Sequence, residues 1–555
     1  MHWINDTVIY NIYPLGFCGA PKQNDFQLNY RLDKIIDFIP HFKKMGVNCI
    51  LFNPVFESTR HGYDTIDYKK IDSRLGDNES FKRICDTLHK NSIRIMLDGV
   101  FNHVGRDFFA FKDIQERGMG SIYTSWFYNV RFDQQSPYGD HFSYEGWAGH
   151  YDLVKLNLQN EHVVEHLLDA VGYWIDEFGI DGLRLDAANV MDVSFFRRLK
   201  DFCKGKKPDF WMFGEIVGGD YNLIANPDAL DSCTNYEIYK GLFSSHNDRN
   251  YFEFAHSVDR QCGDWGMYKN IYMYNFADNH DVTRLASIIR DKALQKNVYT
   301  MLYCMPGVPS VYYGSEFGME GKKQRNSDDD LRRELNLNAL EAPDYELFEH
   351  ICRLGYLRHH LEALQCGKYK NEQIQLEHMC FSMKTDHQKV YVLLNQSTEH
   401  RSIGFNTDFN GILTDVLNGN QQYGCNGWVE IGVPPMSSMI LIENDGSFRI
   451  DYPAEQEEAI FDRASEEETN ESVELNTPDP EAELTPEEIV KGRYRHFKGN
   501  EYEVIDFAKD SETTEKMVIY RALYGNHELW VRPYEMFREI IERDGKKMRR
   551  FEKID

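Results

Sequence analysis

Strand-length apolar runs alternate with stretches of helical spacing over the first 365 residues, and this alternation restricts the fold more than any other feature of the chain. Residues 8–13 read as a first strand and 33–45 as a helix, with Ile35, Ile36, Phe38, Ile39, Phe42 and Met45 at helical spacing. Strands follow at 48–52, 93–97, 180–185 and 211–213, near Leu230, and at 271–275 and 310–313. Helices fall over about 79–91, 162–178, 193–203, 284–304 and 345–361. Alternation at this spacing predicts a parallel sheet with helical crossovers, and eight such units close into a barrel. The expected fold class is α/β, a (β/α)8 TIM barrel over residues 1–365 with a subdomain inserted after strand 3 at about 103–152. A loop of that length inside a compact barrel serves as a lid or small subdomain.

Past residue 365 the pattern changes. Runs at 389–394, 401–405 and 438–442, separated by Asn/Gly turns, predict a C-terminal antiparallel β domain over 366–446. Residues 455–490 are acidic, carry Pro and Ser and are poor in aromatics, the composition of a solvated linker. A small extra β-rich module occupies 491–555, with strand-like runs at 501–507, 517–522 and 528–532. The net charge of -27 repels nucleic acid and anionic membrane surfaces but not a neutral oligosaccharide. Eleven cysteines without a CxxC pair or a regular framework suit free thiols in a reducing compartment. No basic stretch followed by an apolar run opens the chain, and no run of about 18 apolar residues exists, so a cytoplasmic protein with no membrane segment is expected.

Functional residues of a barrel collect at the C-terminal ends of its strands. Strand 3 runs into Asp98 and on to Asn102 and His103; strand 4 ends at Arg184 and Asp186, strand 5 at Glu215, and strand 7 at His280 and Asp281. Residues 184 and 186 face the same side of a strand. Arg184 therefore keeps Asp186 ionised and aimed, as a nucleophile requires. Taken alone, the pair also reads as a surface ion pair after a buried strand. Glu215 follows an apolar strand with no arginine beside it, which leaves its pKa free to rise to that of a working acid. Two carboxylates about 5–5.5 Å apart carry out retaining glycoside hydrolysis.

The segments DGVFNH (98–103), GLRLDAAN (182–189), FGEI (213–216) and ADNHD (277–281) resemble the four signature regions of glycoside hydrolase family 13, the α-amylase family. GVNCILFNPVFES (46–58), HGYDTIDY (61–68) and MPGVPSVYYGSEFGMEG (305–321) support the resemblance, which covers roughly residues 1–445. It implies Asp186 as nucleophile, Glu215 as general acid/base and Asp281 as transition-state stabiliser. It further implies that His103 and His280 bond sugar hydroxyls and that Tyr63 stacks on a sugar ring; each of these residue types alone is as well explained by a structural role. Arg184 belongs to the same substrate site, and Asp98 fixes Arg184 or its loop. Asp328 and Arg332 resemble the pair that binds the non-reducing-end sugar, with a solvated charged loop as the alternative.

LVKLN (153–157) is similar to the MPKLN element of the neopullulanase, cyclomaltodextrinase and maltogenic amylase group, which favours small or cyclic malto-oligosaccharides. Val217-Gly218 departs from that group's Trp-His or Trp-Asp, so the acceptor side is altered. Strand 1 begins within ten residues of Met1, so the group's N-terminal β domain is expected to be absent. The resemblance allows Ca2+ through Asn102, but no clustered acidic loop supports it, and no metal or cofactor is expected to be required. The expected activity is retaining hydrolysis of α-1,4 links in malto-oligosaccharides and cyclodextrins. A 4-α-glucanotransferase or α-glucosidase is the alternative, and a non-catalytic glucan-binding relative the remaining one. The oligomeric state is not legible. The module at 491–555 resembles a small bacterial domain family of unknown function; its Tyr494, Phe497, Tyr520 and Trp530 read as core, with an exposed glycan platform as the alternative.

Overall fold

Eight short parallel strands build the first part of the chain: β1 (Ile9–Ile12), β2 (Cys49–Phe52), β3 (Arg94–Gly99), β4 (Gly182–Leu185), β5 (Trp211–Gly214), β6 (Ser232–Cys233), β7 (Tyr274–Phe276) and β8 (Val308–Tyr312). This computed structural model describes residues 2–452, 489–496, 501–509, 516–523, 529–538, 540–543 and 546–554. Residues 455–488 of the acidic stretch, and Phe497, lie outside the described residues. The strands pair in the order β6-β5-β4-β3-β2-β1-β8-β7. A single parallel bridge between Thr234 and Tyr274 brings the two ends together into a barrel.

Period 2 sorts each strand into a lumen face and a helix face. Ile9, Leu51, Met96, Trp211, Phe213 and Tyr274 share one buried cluster in the lumen. Gly182 is small because it must be: a Cβ there would stand 2.3 Å from the Trp211 carbonyl oxygen. Helices such as Asn78–Lys90, opened by an Asp77 capping box, and Glu161–Phe178, closed by left-handed Gly179, cover the outside.

Two stretches differ from the helices read in the sequence. Residues 33–45 form a 3₁₀ helix, Arg31–Phe38, that passes into an α-helix, Ile39–Lys44, because Pro40 has no N–H to continue the earlier ladder. Residues 284–304 are not one helix: Leu285–Ile288 ends early, and Gln295–Cys304 starts anew after a turn whose Ala293 N–H is taken by the Asp291 side chain. Helices Tyr236–Asn247 and Tyr251–Cys262, absent from the sequence reading, fill the path from β6 to β7 and are capped by Asn235 and Asn250.

The inserted segment holds the helix Phe109–Arg117 and a small sheet of His103–Gly105, His150–Lys155 and Gly146–Trp147. After the barrel, β9 (Lys368–Ile374), β10 (His378–Lys384), β11 (Lys389–Asn395), β12 (Arg401–Asp415), β13 (Gln421–Val433) and β14 (Ser437–Asn444) form an antiparallel sheet in the order β9-β10-β11-β14-β12-β13. Contacts divide the chain into two units, Met1–Glu468 and Thr469–Asp555. The second carries β15 (Gly492–His496), β16 (Glu501–Lys509), β17 (Lys516–Ala522), β18 (Leu529–Pro533), β19 (Ile540–Arg543), β20 (Lys546–Arg549) and β21 (Phe551–Lys553). Within it Tyr494 and Tyr520 are buried core, whereas Trp530 is half exposed on the edge strand β18. All eleven cysteines are free, and among the described residues no helix is long and apolar enough to cross a membrane.

The weak seam between β6 and β7 is reinforced by buried amides rather than by a ladder. Asn235 N–H donates to the Tyr274 carbonyl at 3.0 Å. Its side-chain Nδ2 donates to Gln261 Oε1 and to Asn275 Oδ1, both at 2.9 Å, and Gln261 Nε2 returns a bond to Asn235 Oδ1 at 3.0 Å. All three side chains are buried. Asn235→Leu strands two amide partners without water and removes a helix cap, and is expected to destabilise the fold by about 2–4 kcal/mol, read as a lower denaturant midpoint at unchanged slope.

Candidate active site

Strand register builds the site. Asp98 pairs across the β3–β4 ladder with Arg184, and Arg184 pairs across the β4–β5 ladder with Phe213. Two residues on, period 2 carries Asp186 and Glu215 to the same lumen side. Asp186 N–H donates to the Gly99 carbonyl at 3.2 Å and Glu215 N–H to the Leu185 carbonyl at 2.9 Å, so both carboxylates leave anchored backbone.

Buried Arg184 is shared among three acids. Nη1 donates to Asp98 Oδ2 at 2.5 Å and to Asp186 Oδ1 at 3.3 Å, while Nη2 lies 3.1 Å from Glu215 Oε2. This corrects the sequence reading: Glu215 does have an arginine beside it, because a guanidinium reaches across the ladder as readily as along its own strand. Ala187 N–H also donates to Glu215 Oε2 at 3.1 Å, from a residue held at φ +49°. Left-handed backbone at a non-glycine residue is strain that a built site sustains. Tyr236 Oη donates to the other oxygen of Glu215 at 3.3 Å, and Asn279 Nδ2 donates to Tyr236 Oη at 3.4 Å.

Opposite them, Arg332 Nη2 donates to Asp281 Oδ1 at 2.8 Å and to Asp328 Oδ2 at 3.1 Å, and its Nε donates to the His280 carbonyl at 3.1 Å. His280 Nε2 lies 2.8 Å from Asp281 Oδ2 and 2.5 Å from Tyr63 Oη. Tyr63 Oη also donates to Asp98 Oδ2 at 3.0 Å, and its ring stacks on His280 at 5.6 Å. These contacts put Tyr63, Asp98, Arg184, Asp186, Glu215, His280, Asp281 and Arg332 in one connected constellation, with Asp328 at its edge. His103 is buried beside the Trp147 ring of the inserted segment, its Nδ1 3.1 Å from Asn102 Nδ2 and its Nε2 without a hydrogen-bond partner among the described residues. Asn102 therefore turns its amide to His103, and its backbone carbonyl accepts Leu156 N–H at 3.0 Å. Among the described residues no group of three or more His, Cys, Asp or Glu is placed to hold a metal ion.

Sequence reasoning missed Tyr13, Asn53, Trp147, Tyr236 and Asn279. Tyr13 lies under the Arg332 guanidinium at 4.6 Å, and Asn53 Nδ2 donates to Asp98 at 3.1 Å. Asn53 follows β2 directly, and Asn279 and Tyr236 each lie three residues past a strand end, so the strand-end rule reaches all three; Trp147 sits in an insertion that carries no such signal.

Electrostatics separate the acids. Burial pushes the Asp186 carboxyl well above the ordinary carboxylate range; charge on Glu215 adds to this and Arg184 opposes it. The sequence argument that Arg184 keeps Asp186 ionised is thus too simple, since one guanidinium divides its charge among three carboxylates. Asp98 is likewise raised by burial against Arg184. At Asp281 burial also pushes upward, but the charge and hydrogen bond of His280, together with Arg332, hold it well below the usual range. Burial lowers His103 to about 3, so its ring is neutral at any working pH.

A family model described as "Alpha amylase, catalytic domain" matches residues 11–346, and one described as "Protein of unknown function (DUF1653)" matches residues 492–553. The chain is 30% identical over 442 residues to a cyclomaltodextrinase of Geobacillus thermopakistaniensis, covering 76% of this chain and 74% of the relative. It is 31% identical over 469 residues to neopullulanase 2 of Thermoactinomyces vulgaris, covering 79% and 78%. Among solved structures, a debranching enzyme of Nostoc punctiforme superposes with a TM-score of 0.70 at 26% identity, covering 79% of this chain and 98% of that one.

Because the folded state holds the Asp186 proton more tightly than the unfolded chain does, stability is lost as pH rises through its raised pKa. Asp186→Asn removes that cost and is expected to raise unfolding stability at about pH 8, a gain that vanishes on acidification below the unfolded carboxylate range. Asp281 has the opposite sign: its lowered pKa contributes stability above the unfolded value, lost as pH falls through the folded one. Asp281→Asn should therefore destabilise the fold at neutral pH, and chemical denaturation at several pH values reads both.

Proposed function

The chain belongs to the α-amylase family of glycoside hydrolases, and on that premise we propose that it cleaves α-1,4 links of malto-oligosaccharides and cyclodextrins with retention at the cleaved carbon. The observation that carries this reading is the pair Asp186 and Glu215 bracketing the two terminal nitrogens of one guanidinium. Retaining cleavage needs one proton on this pair. Catalysis uses the arrangement in which Glu215 holds it and Asp186 is ionised. Glu215 protonates the glycosidic oxygen as Asp186 attacks the anomeric carbon, giving a covalent glycosyl-enzyme and a free leaving sugar. Glu215, now ionised, takes a proton from water, whose oxygen attacks the same carbon and frees Asp186.

Asp281, kept anionic by His280 and Arg332, faces the positive charge that builds on the sugar ring in both steps. Tyr63 and His280 offer their stacked rings and polar edges to the sugar at the cleaved position, and His103 offers a neutral ring nitrogen. Arg332, bound to both Asp281 and Asp328, supports binding at the non-reducing end. Each step is complete with protein groups and water, so the reading needs no metal or cofactor, and Asn102, with its amide on His103 and its carbonyl on Leu156, serves the loop. Free thiols support a cytoplasmic location.

The acceptor side supports a second reading, transfer to a sugar instead of water. Val217 is 60% exposed, and a Cβ added at Gly218 or Gly219 would meet nothing within 4 Å, so the loop after Glu215 leaves open space. Measuring kcat/KM on β-cyclodextrin and on maltoheptaose, with products resolved by length, separates the two: products longer than the substrate identify the transferase. Glu215→Gln is expected to lower kcat on maltotriose by at least about a thousandfold while a substrate with a good leaving group still forms the covalent adduct on Asp186, detectable by mass spectrometry. Full activity of Glu215→Gln would overturn the assignment. Tyr236→Phe is expected to lower kcat about tenfold with little change in KM, since it loosens Glu215 and touches the acid rather than the bound ground state.

A further inference from the structure

The outer face of the β12–β13 hairpin combines two choices that each weaken a sheet. Trp428 keeps 52% of its surface in solvent, outside the hairpin's core of Ile403, Phe405 and Ile431. Gly404, a residue that costs a strand interior stability, lies in the neighbouring strand. The two belong together: a Cβ on Gly404 would stand 2.5 Å from Trp428 Cζ2 and 2.8 Å from Cη2, so the indole is seated on bare backbone. The glycine thus fixes the indole in place while about half of the ring stays open to solvent, more than cover for a glycine requires.

What surrounds the indole says what it takes. Asn406 is its directly paired neighbour across the ladder, and Asn426 and Glu430 flank it on the same face of β13. Ser402 Oγ donates to Glu430 Oε1 at 2.5 Å. The outward positions of β12 near the ring, and those of β13, hold amides, a hydroxyl, the carboxylates of Asp408 and Glu430, and glycines, with no Lys or Arg. A phosphate-bearing or acidic partner has nothing to bind there and meets Glu430. A neutral polyol does: the apolar C–H face of a pyranose packs on an aromatic ring, and its hydroxyls donate to the amide and carboxylate oxygens beside it.

We propose that Trp428, seated on Gly404 and flanked by Asn406, Asn426 and Glu430, is a noncatalytic site for a chain of α-linked glucose. The ligand class rests on the glucan-cleaving function proposed above. The site lies on the sheet that follows the barrel, apart from the rim where Asp186, Glu215 and Asp281 meet, so it binds polymer without taking part in bond cleavage.

The full-length chain and its Trp428→Ala and Gly404→Val variants are compared by electrophoresis through native gels containing amylopectin, and by kcat/KM on maltotriose and on soluble amylose. Expected are an apparent affinity for amylopectin about tenfold weaker in both variants and a matching loss on amylose, with kcat/KM on maltotriose unchanged, which also shows that the variants fold. Retardation of Trp428→Ala equal to that of the parent chain, or a parent chain that is not retarded, overturns the proposal. So does light scattering that finds a dimer in the parent and a monomer in Trp428→Ala, which makes this face a contact between copies. A parent chain that is retarded through Trp428 yet cleaves no maltotriose refutes the catalytic reading and leaves the binding site standing.

Discussion

The Arg184 guanidinium, buried at the mouth of the barrel, donates to Asp98 and Asp186 and meets Glu215, and the positions of all three carboxylates depend on it. Three acids in an enclosed space compete for one cation, and burial raises Asp98 and Asp186 in spite of it. Removing the cation would leave uncompensated charge in a buried site, the costliest kind of loss. Asn53 and Tyr63 take up further capacity on Asp98, which binds the guanidinium to the barrel wall and not only to its partners.

A second anchor balances the first. Arg332 comes from a segment beyond β8, lies over the Tyr13 ring and reaches the His280 carbonyl and the Asp281 carboxylate. Together with His280 it keeps Asp281 charged, whereas burial drives Asp186 the other way. Two identical side chains thus acquire opposite pKa shifts from their surroundings alone. The amide cluster of Asn235, Gln261 and Asn275 matters to this balance, because it sets β7, and with it Asp281, against the strand after which Tyr236 begins its helix.

How much of this was legible depended on whether a signal was local. Asp98, Arg184 and Asp186 were readable because strand period and strand end are properties of a few neighbouring residues. The barrel strands were readable for the same reason, although β6, read only as a strand near Leu230, is two residues long and too short to show a period. Tyr236 was missed on that account, since it lies three residues past a strand end that the sequence did not place. The arginine beside Glu215 was hidden because the contact runs across a ladder, and the break in residues 284–304 because side-chain caps override an apolar pattern.

By itself the sequence determined the alternation that makes a barrel and the acids at the strand ends. Those follow from covalent order and period. Only the tertiary structure decided which acid shares which cation, which carboxylate is driven up by burial and which is held down, and that Trp428 rests on Gly404. Each of these is set by groups distant in the chain and close in space, where desolvation and charge act over a few ångströms without regard to sequence separation.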